Sequence, residues 1–142
     1  MVTKLERDLY TAEATVQGGR AGHGRSSDGR LDFDLRPPVE MGGDGNGTNP
    51  EQLFALGYAA CFQSALGVVG RRMGVDTESS TVTGKATIGT IGGGAFGLRV
   101  TLDVNLPGAD ADTAHKAVEA AHEVCPYSNA TRGNIEVTLN VV

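Results

Sequence analysis

Thr48-Asn49-Pro50-Glu51-Gln52-Leu53-Phe54-Ala55-Leu56-Gly57-Tyr58-Ala59-Ala60-Cys61-Phe62-Gln63-Ser64-Ala65-Leu66-Gly67-Val68-Val69 decides how the rest of the chain is read. It opens on Thr-x-x-Glu, a pattern in which a hydroxyl and a carboxylate satisfy the first unpaired N–H groups of a helix. Pro50 suits the first turn, where no N–H is needed and φ is already helical. From Leu53 to Val69 nearly every side chain is apolar or small, with Gln63 and Ser64 the polar exceptions. The pattern predicts a helix over residues 50–73, apolar around its whole circumference. Such a helix is buried on nearly all sides. In so short a chain that requires a sheet against one face and a partner subunit against the other.

Upstream, Tyr10, Ala12, Ala14 and Val16 alternate with Thr11, Glu13 and Thr15, which predicts a strand over residues 9–16. Gly18 to Gly24 reads as a flexible loop and Ser27-Asp28-Gly29 as a turn. Leu31, Phe33 and Leu35 alternate with Asp32 and Asp34 as a second strand, closed by Pro37-Pro38. Downstream, Val82, Gly84, Ala86 and Ile88 predict a third strand. Leu98, Val100, Leu102, Val104 and Leu106 alternate with polar residues as a fourth, joined to it by Gly92-Gly93-Gly94. Those glycines also fit G-x-G-x-x-G, but dinucleotide binding needs a helix after the motif, and a strand follows.

A second helix starts near Asp110 and stops at Cys125, because a residue before proline resists the α region. Ala114, Ala117, Val118, Ala121, Val124 and Cys125 form its core face; His115, Glu119 and His122 read as its solvated face. Ile135, Val137, Leu139 and Val141 form the last strand. The order β-β-α-β-β-α-β implies an α+β fold with mainly antiparallel sheets, one domain over residues 1–142.

The composition, 39% hydrophobic and 20% charged, is that of a globular chain. A net charge of −5 with 12 thinly spread Lys and Arg argues against nucleic acid and anionic membrane surfaces as partners. No uninterrupted apolar run is long enough for a membrane span, and the charged N-terminus lacks a signal peptide's apolar region. The expected location is the cytoplasm, where a purely structural disulfide is disfavoured. No metal is expected: His115 and His122 lack acidic or Cys partners at ligand spacing, while His23 stays undecided.

Cys61 and Cys125 remain. Either could be a small core hydrophobe. As the only two cysteines, one in mid-helix and one at a helix end where the chain can move, they suit a reversible disulfide cycle better than metal binding. Thiol chemistry needs thiolate. Cys61 lies too deep in its helix for the macrodipole to help, and burial raises a thiol pKa. A cation must be brought to it, and Arg stays charged when buried. Composition does not choose among Arg20, Arg25, Arg30 and Arg36.

Three segments carry a resemblance: Gly47 to Ala55, Gly57-Tyr58-Ala59-Ala60-Cys61-Phe62, and Val124-Cys125-Pro126-Tyr127-Ser128-Asn129-Ala130-Thr131-Arg132-Gly133-Asn134. With Gly18-Gly19-Arg20 and Ser27-Asp28-Gly29, they resemble the organic hydroperoxide resistance (Ohr) proteins of the Ohr/OsmC family over nearly the whole chain. The resemblance implies an intertwined homodimer with central apolar helices flanked by sheets. It implies a thiol-dependent peroxidase in which Cys61 is the peroxidatic cysteine, Cys125 the resolving cysteine, Arg20 the activating arginine and Glu51 its carboxylate partner. It further implies no bound cofactor, and recycling by an external dithiol, a lipoyl group on a carrier protein. The expected cycle runs through a Cys61 sulfenic acid and a Cys61–Cys125 disulfide.

Glu51 and Cys61 are ten residues apart, about 15 Å along a helix, so they do not touch within it. Arg20 is expected to bridge them, and the reading allows Arg20 and Glu51 of one subunit to meet Cys61 of the other. Phe54, Leu56, Tyr58, Phe62 and Leu66 are candidates for an apolar substrate wall. Each buried CH₂ contributes roughly 0.8 kcal/mol, which favours organic and fatty-acid hydroperoxides over hydrogen peroxide. The competing reading is a redox-responsive module that binds a hydrophobic ligand without turnover.

Overall fold

In the computed structural model, which describes residues 2–142, the chain folds as two units that divide between Pro50 and Glu51. The first is a three-stranded antiparallel meander of β1 (Ala14–Gln17), β2 (His23–Ser26) and β3 (Asp32–Asp34). The predicted strand over 9–16 contracts to β1, whose Ala14 to Gln17 pair in register with Ser26 to His23. Leu9, Tyr10 and Val16 are exposed, so the alternation there buries nothing within this chain. The predicted loop over 18–24 instead contains a 3₁₀ turn at Gly19–Ala21 and the start of β2. Gly18 and Gly19 enter that turn with φ of +83° and +58°, a region that favours glycine.

The second unit opens with α1 (Pro50–Met73), the helix predicted from its cap and apolar run. A sheet follows in the order β4 (Thr81–Gly92), β5 (Ala95–Asn105), β6 (Val137–Val141). β4 and β5 form the predicted hairpin, and Gly92, Gly93 and Gly94 turn it, all at positive φ. β6 lies parallel to β5, with Val100 opposite Val137 and Val104 opposite Val141. A parallel neighbour needs a crossover of a dozen or more residues. Here the crossover holds α2 (Ala111–Val124) and α3 (Pro126–Thr131). The fold is therefore α+β with mainly antiparallel pairing, as expected.

The core of this unit is built from three stripes. Tyr58, Phe62, Leu66 and Val69 recur at helical spacing on α1; Val100, Leu102 and Val104 alternate along β5; Ala114, Ala117, Val118 and Ala121 line α2. β4 passes close to the α1 backbone at Gly84, where a Cβ would sit 2.6 Å from the Ala55 carbonyl oxygen. By length and hydropathy alone α1 could cross a bilayer, but one of its faces is buried in this core. The expected all-round burial is not met within one chain: Leu56 is 72% exposed on another face.

Two assignments on α2 also change. Val124, placed on the core face, is exposed at the last residue of α2, while Ala121 and Cys125 on either side of it are buried. His122, placed on the solvated face, is half-buried because α3 folds back against it.

Candidate active site

The two cysteines come from the ends of different local rules. Cys61 lies one turn after the buried Tyr58 and next to the buried Phe62, at the edge of the core stripe of α1, and is half-buried. Cys125 is fully buried and serves as both the C-cap of α2 and the N-cap of α3. Its ψ of 124° is extended, as a residue before proline prefers. Pro126 then starts α3 at a position where no N–H is missed. Cys125 is held on both sides, its N–H donating to the Ala121 carbonyl at 2.9 Å and its own carbonyl accepting from Asn129 N–H at 2.9 Å.

The structure brings the two thiols together. Both are free, and they lie close enough for Cys125 to bear on the titration of Cys61. Burial pushes the Cys61 thiol above its ordinary value; the Tyr127 backbone N–H, donating to the sulfur, pulls the other way, and Cys125 adds to the rise. Within its own unit these surroundings favour the Cys61 thiol over the thiolate.

Around the pair stands a polar chain that sequence reasoning missed. The Tyr58 hydroxyl lies 2.8 Å from Ser128 Oγ and 3.1 Å from Thr131 Oγ1, all three side chains buried. His122 Nδ1 lies 2.8 Å from the same Ser128 Oγ. Thr131 donates its proton to the Ser128 carbonyl at 3.3 Å. Burial lowers the His122 pKa, the Arg132 guanidinium beside it lowers it further, and Glu123 opposes them. Arg132 also donates to the His122 carbonyl and, at 2.7 Å, to Asn129 Oδ1, tying the end of α3 to that of α2. The signal for this chain was present: Pro126 could have been read as the first residue of a helix. That would have placed Ser128 and Thr131 on one inward face.

Phe54, Tyr58 and Tyr127 form an aromatic cluster, with ring centroids 5.6 to 6.1 Å apart. Gly57 leaves room for it, since a Cβ there would meet the Tyr127 hydroxyl at 3.0 Å. Of the expected wall, Tyr58 and Phe62 have no exposed surface, and Leu66 is equally enclosed. Phe54, half-buried, and Tyr127, exposed on one side, offer apolar surface near Cys61.

The remaining candidates divide between the units. Glu51 sits half-buried in the first turn of α1. Arg20 sits half-buried in the 3₁₀ turn of the first unit. Arg36 braces that turn, its Nη1 donating to the carbonyls of Ala21 and Gly22 at 3.0 Å and of Leu35 at 2.6 Å. Arg25 lies 3.9 Å from the Asp32 carboxylate. Arg36 and Arg25 thus have structural roles within the first unit. His23, left undecided above, lies between Asp34 at 2.9 Å and Asp32 at 2.6 Å on the exposed sheet. Among the described residues no cluster of three metal-ligating side chains occurs.

Comparison with known proteins identifies the family. The family profile described as OsmC-like protein matches residues 43–140. The organic hydroperoxide resistance protein of Xanthomonas axonopodis pv. citri is 50% identical over 138 residues, covering 96% of both chains. The crystal structure of an organic hydroperoxide resistance protein from Legionella pneumophila superposes with a TM-score of 0.90 at 45% identity, covering 95% of this chain and 98% of that one. The crystal structure of OhrB of Bacillus subtilis gives 0.85 at 46% identity, covering 95% and 100%. The chain belongs to the OsmC-like family, and within it to the organic hydroperoxide resistance proteins.

Proposed function

We propose that this protein protects against organic hydroperoxides as a thiol peroxidase, with Cys61 as the attacking group and Cys125 as the resolving one. The observation that carries the reading is the close approach of two free thiols beside the aromatic surface of Phe54 and Tyr127. In the first step the Cys61 sulfur attacks the O–O bond of R–O–O–H. The bond breaks, sulfur is oxidised to a sulfenic acid, and the alkoxide takes up a proton and leaves as alcohol. In the second step the Cys125 sulfur displaces the sulfenic oxygen, which leaves as water with the thiol proton. The resulting disulfide spares Cys61 from over-oxidation. An external dithiol, of the lipoyl type on a carrier protein, reduces it and is itself oxidised.

Attack requires the Cys61 thiolate, and burial opposes it. Arg20 is proposed to supply the positive charge and to stabilise the leaving oxygen, with Glu51 orienting it. The exposed Leu56 and Val68 of α1 support a homodimer that covers this helix and completes the site. The reading places the protein in the cytoplasm.

A steady-state assay with tert-butyl hydroperoxide and dihydrolipoamide tests it. The wild type consumes peroxide over many turnovers, Cys61→Ser consumes none, and Cys125→Ser performs a single reduction per site. Ligand binding without peroxide consumption by the wild type would refute the enzyme and favour the redox-responsive binding module.

A further inference from the structure

Disulfide formation needs more than two cysteines in one neighbourhood. The Cys125 sulfur must meet the sulfenic sulfur of Cys61 in line with the breaking S–O bond, and a misplacement of an ångström is costly. Cys125 is the joint between α2 and α3, so its direction depends on what holds those helices against α1. Ser128 is placed to do this. It lies one turn after Cys125, His122 lies one turn before it, and Tyr58 lies one turn before Cys61.

We propose that Ser128 is a positioning residue for the disulfide-forming step, pinned between the Tyr58 hydroxyl on the Cys61 helix and the His122 ring ahead of Cys125. The proposal rests on the thiol peroxidase reading and adds to it a part that the two cysteines do not contain.

The hydrogen-bond directions follow from counting protons. Each hydroxyl has one. That of Thr131 goes to the Ser128 carbonyl. If Tyr58 donates across its shorter contact to Ser128 Oγ, the Ser128 proton is left for His122 Nδ1. This order requires an unprotonated Nδ1, hence a neutral ring. Burial and Arg132 both lower the His122 pKa and so favour the neutral ring. The charged groups near it are Lys116, Glu119 and Glu123 on its own helix and Arg132 beyond α3; β6 contributes only the apolar Leu139. Protonating Nδ1 reverses the order. The ring then donates to Ser128, and Tyr58 must turn its proton to the longer Thr131 contact. The pin survives in weaker form, and Cys125 loses its fixed direction.

The test uses the full-length reduced protein and one equivalent of tert-butyl hydroperoxide. Quenched samples are resolved by intact mass into thiol, sulfenic acid and disulfide. In Ser128→Ala the rate of disulfide formation, relative to that of sulfenic acid formation, falls about tenfold, as expected when a buried partner is removed. His122→Asn keeps an acceptor near the Nδ1 position but does not titrate. The ratio of wild-type to His122→Asn disulfide rates is near unity above pH 6.5 and falls as pH drops below it. Taking the ratio cancels the titration of the cysteines. A ratio that stays constant through this range, or a Ser128→Ala protein that closes its disulfide at the wild-type relative rate, overturns the positioning role. If Ser128→Ala does not fold, the His122→Asn ratio decides alone. A wild type that forms no Cys61–Cys125 disulfide overturns the peroxidase reading and this inference with it; a normal wild-type disulfide with unmoved variants overturns this inference only.

Discussion

Replacing Tyr58 by Phe removes a single buried hydroxyl and leaves the ring in place among Phe54 and Tyr127. The hydroxyl makes two contacts, 2.8 Å to Ser128 and 3.1 Å to Thr131. Neither partner is orphaned by the change: Ser128 Oγ keeps His122, and Thr131 Oγ1 keeps the Ser128 carbonyl. The cost is therefore that of the bonds alone, about 1–2 kcal/mol. Ser128→Ala removes the other end. It leaves Tyr58 with Thr131, and His122 able to turn to water, for a similar cost of about 1–2 kcal/mol. If the two hydroxyls bond as the geometry states, the double variant has already lost their shared bond in either single one. Its cost should fall short of the sum by about 1 kcal/mol. The assay is urea unfolding of the reduced protein at fixed protomer concentration, comparing midpoints at an unchanged slope. Costs that add to within about 0.3 kcal/mol would mean that the hydroxyls do not interact, and the pin between the helices would be gone.

Stability should peak near pH 6.5 as far as His23 and His122 govern it. The partners Asp34 and Asp32 raise the pKa of His23, so its contribution is full below 6.5 and lost as pH rises through the raised value. Burial and Arg132 lower that of His122, so the folded state resists its protonation and stability falls as pH drops below 6.5. Thermal melts across pH check both: His23→Gln flattens the alkaline limb and His122→Asn the acidic one, and limbs unmoved by either would refute the assignment. Gly84→Ala should destabilise by about 1–3 kcal/mol in urea unfolding, because its Cβ would enter the space of the Ala55 carbonyl, a backbone atom that cannot swing aside; a neutral outcome would show that β4 shifts freely on α1.

The elements with strong periodicity were legible. The run from Leu53 to Val69 fixed α1, the alternation from Leu98 to Leu106 fixed β5, and Cys125-Pro126 fixed the end of α2. What failed did so for local reasons. β2 has Gly24 at its one buried position, so it shows no apolar alternation; its pairing is written in β1 and β3 instead. The alternation from Tyr10 onward has no matching strand beside it and stays exposed. α3 was hidden because its inward residues are Ser128 and Thr131, which an apolar search passes over. The two cysteines could be picked out as a pair, but their approach depends on the α2–α3 joint, which no spacing along the chain encodes.

That joint explains why a polar chain sits inside an apolar core. An apolar residue at position 128 would pack against Tyr58 with no preferred direction, and hydrophobic contacts alone tolerate small slides. Hydroxyl pairs do not, because a buried hydroxyl without a partner costs free energy. Among the described residues, every buried side-chain polar atom has a partner, so the chain from Tyr58 to His122 carries no standing penalty. The same reasoning sets the position of Cys61. At the edge of the α1 core stripe it is open enough to be reached and buried enough to be fixed, and that burial is what pushes its thiol upward. Access and reactivity therefore pull against each other at this sulfur. Its hydrogen bond from Tyr127 N–H offsets part of the conflict, and a guanidinium is the side chain suited to offset the rest.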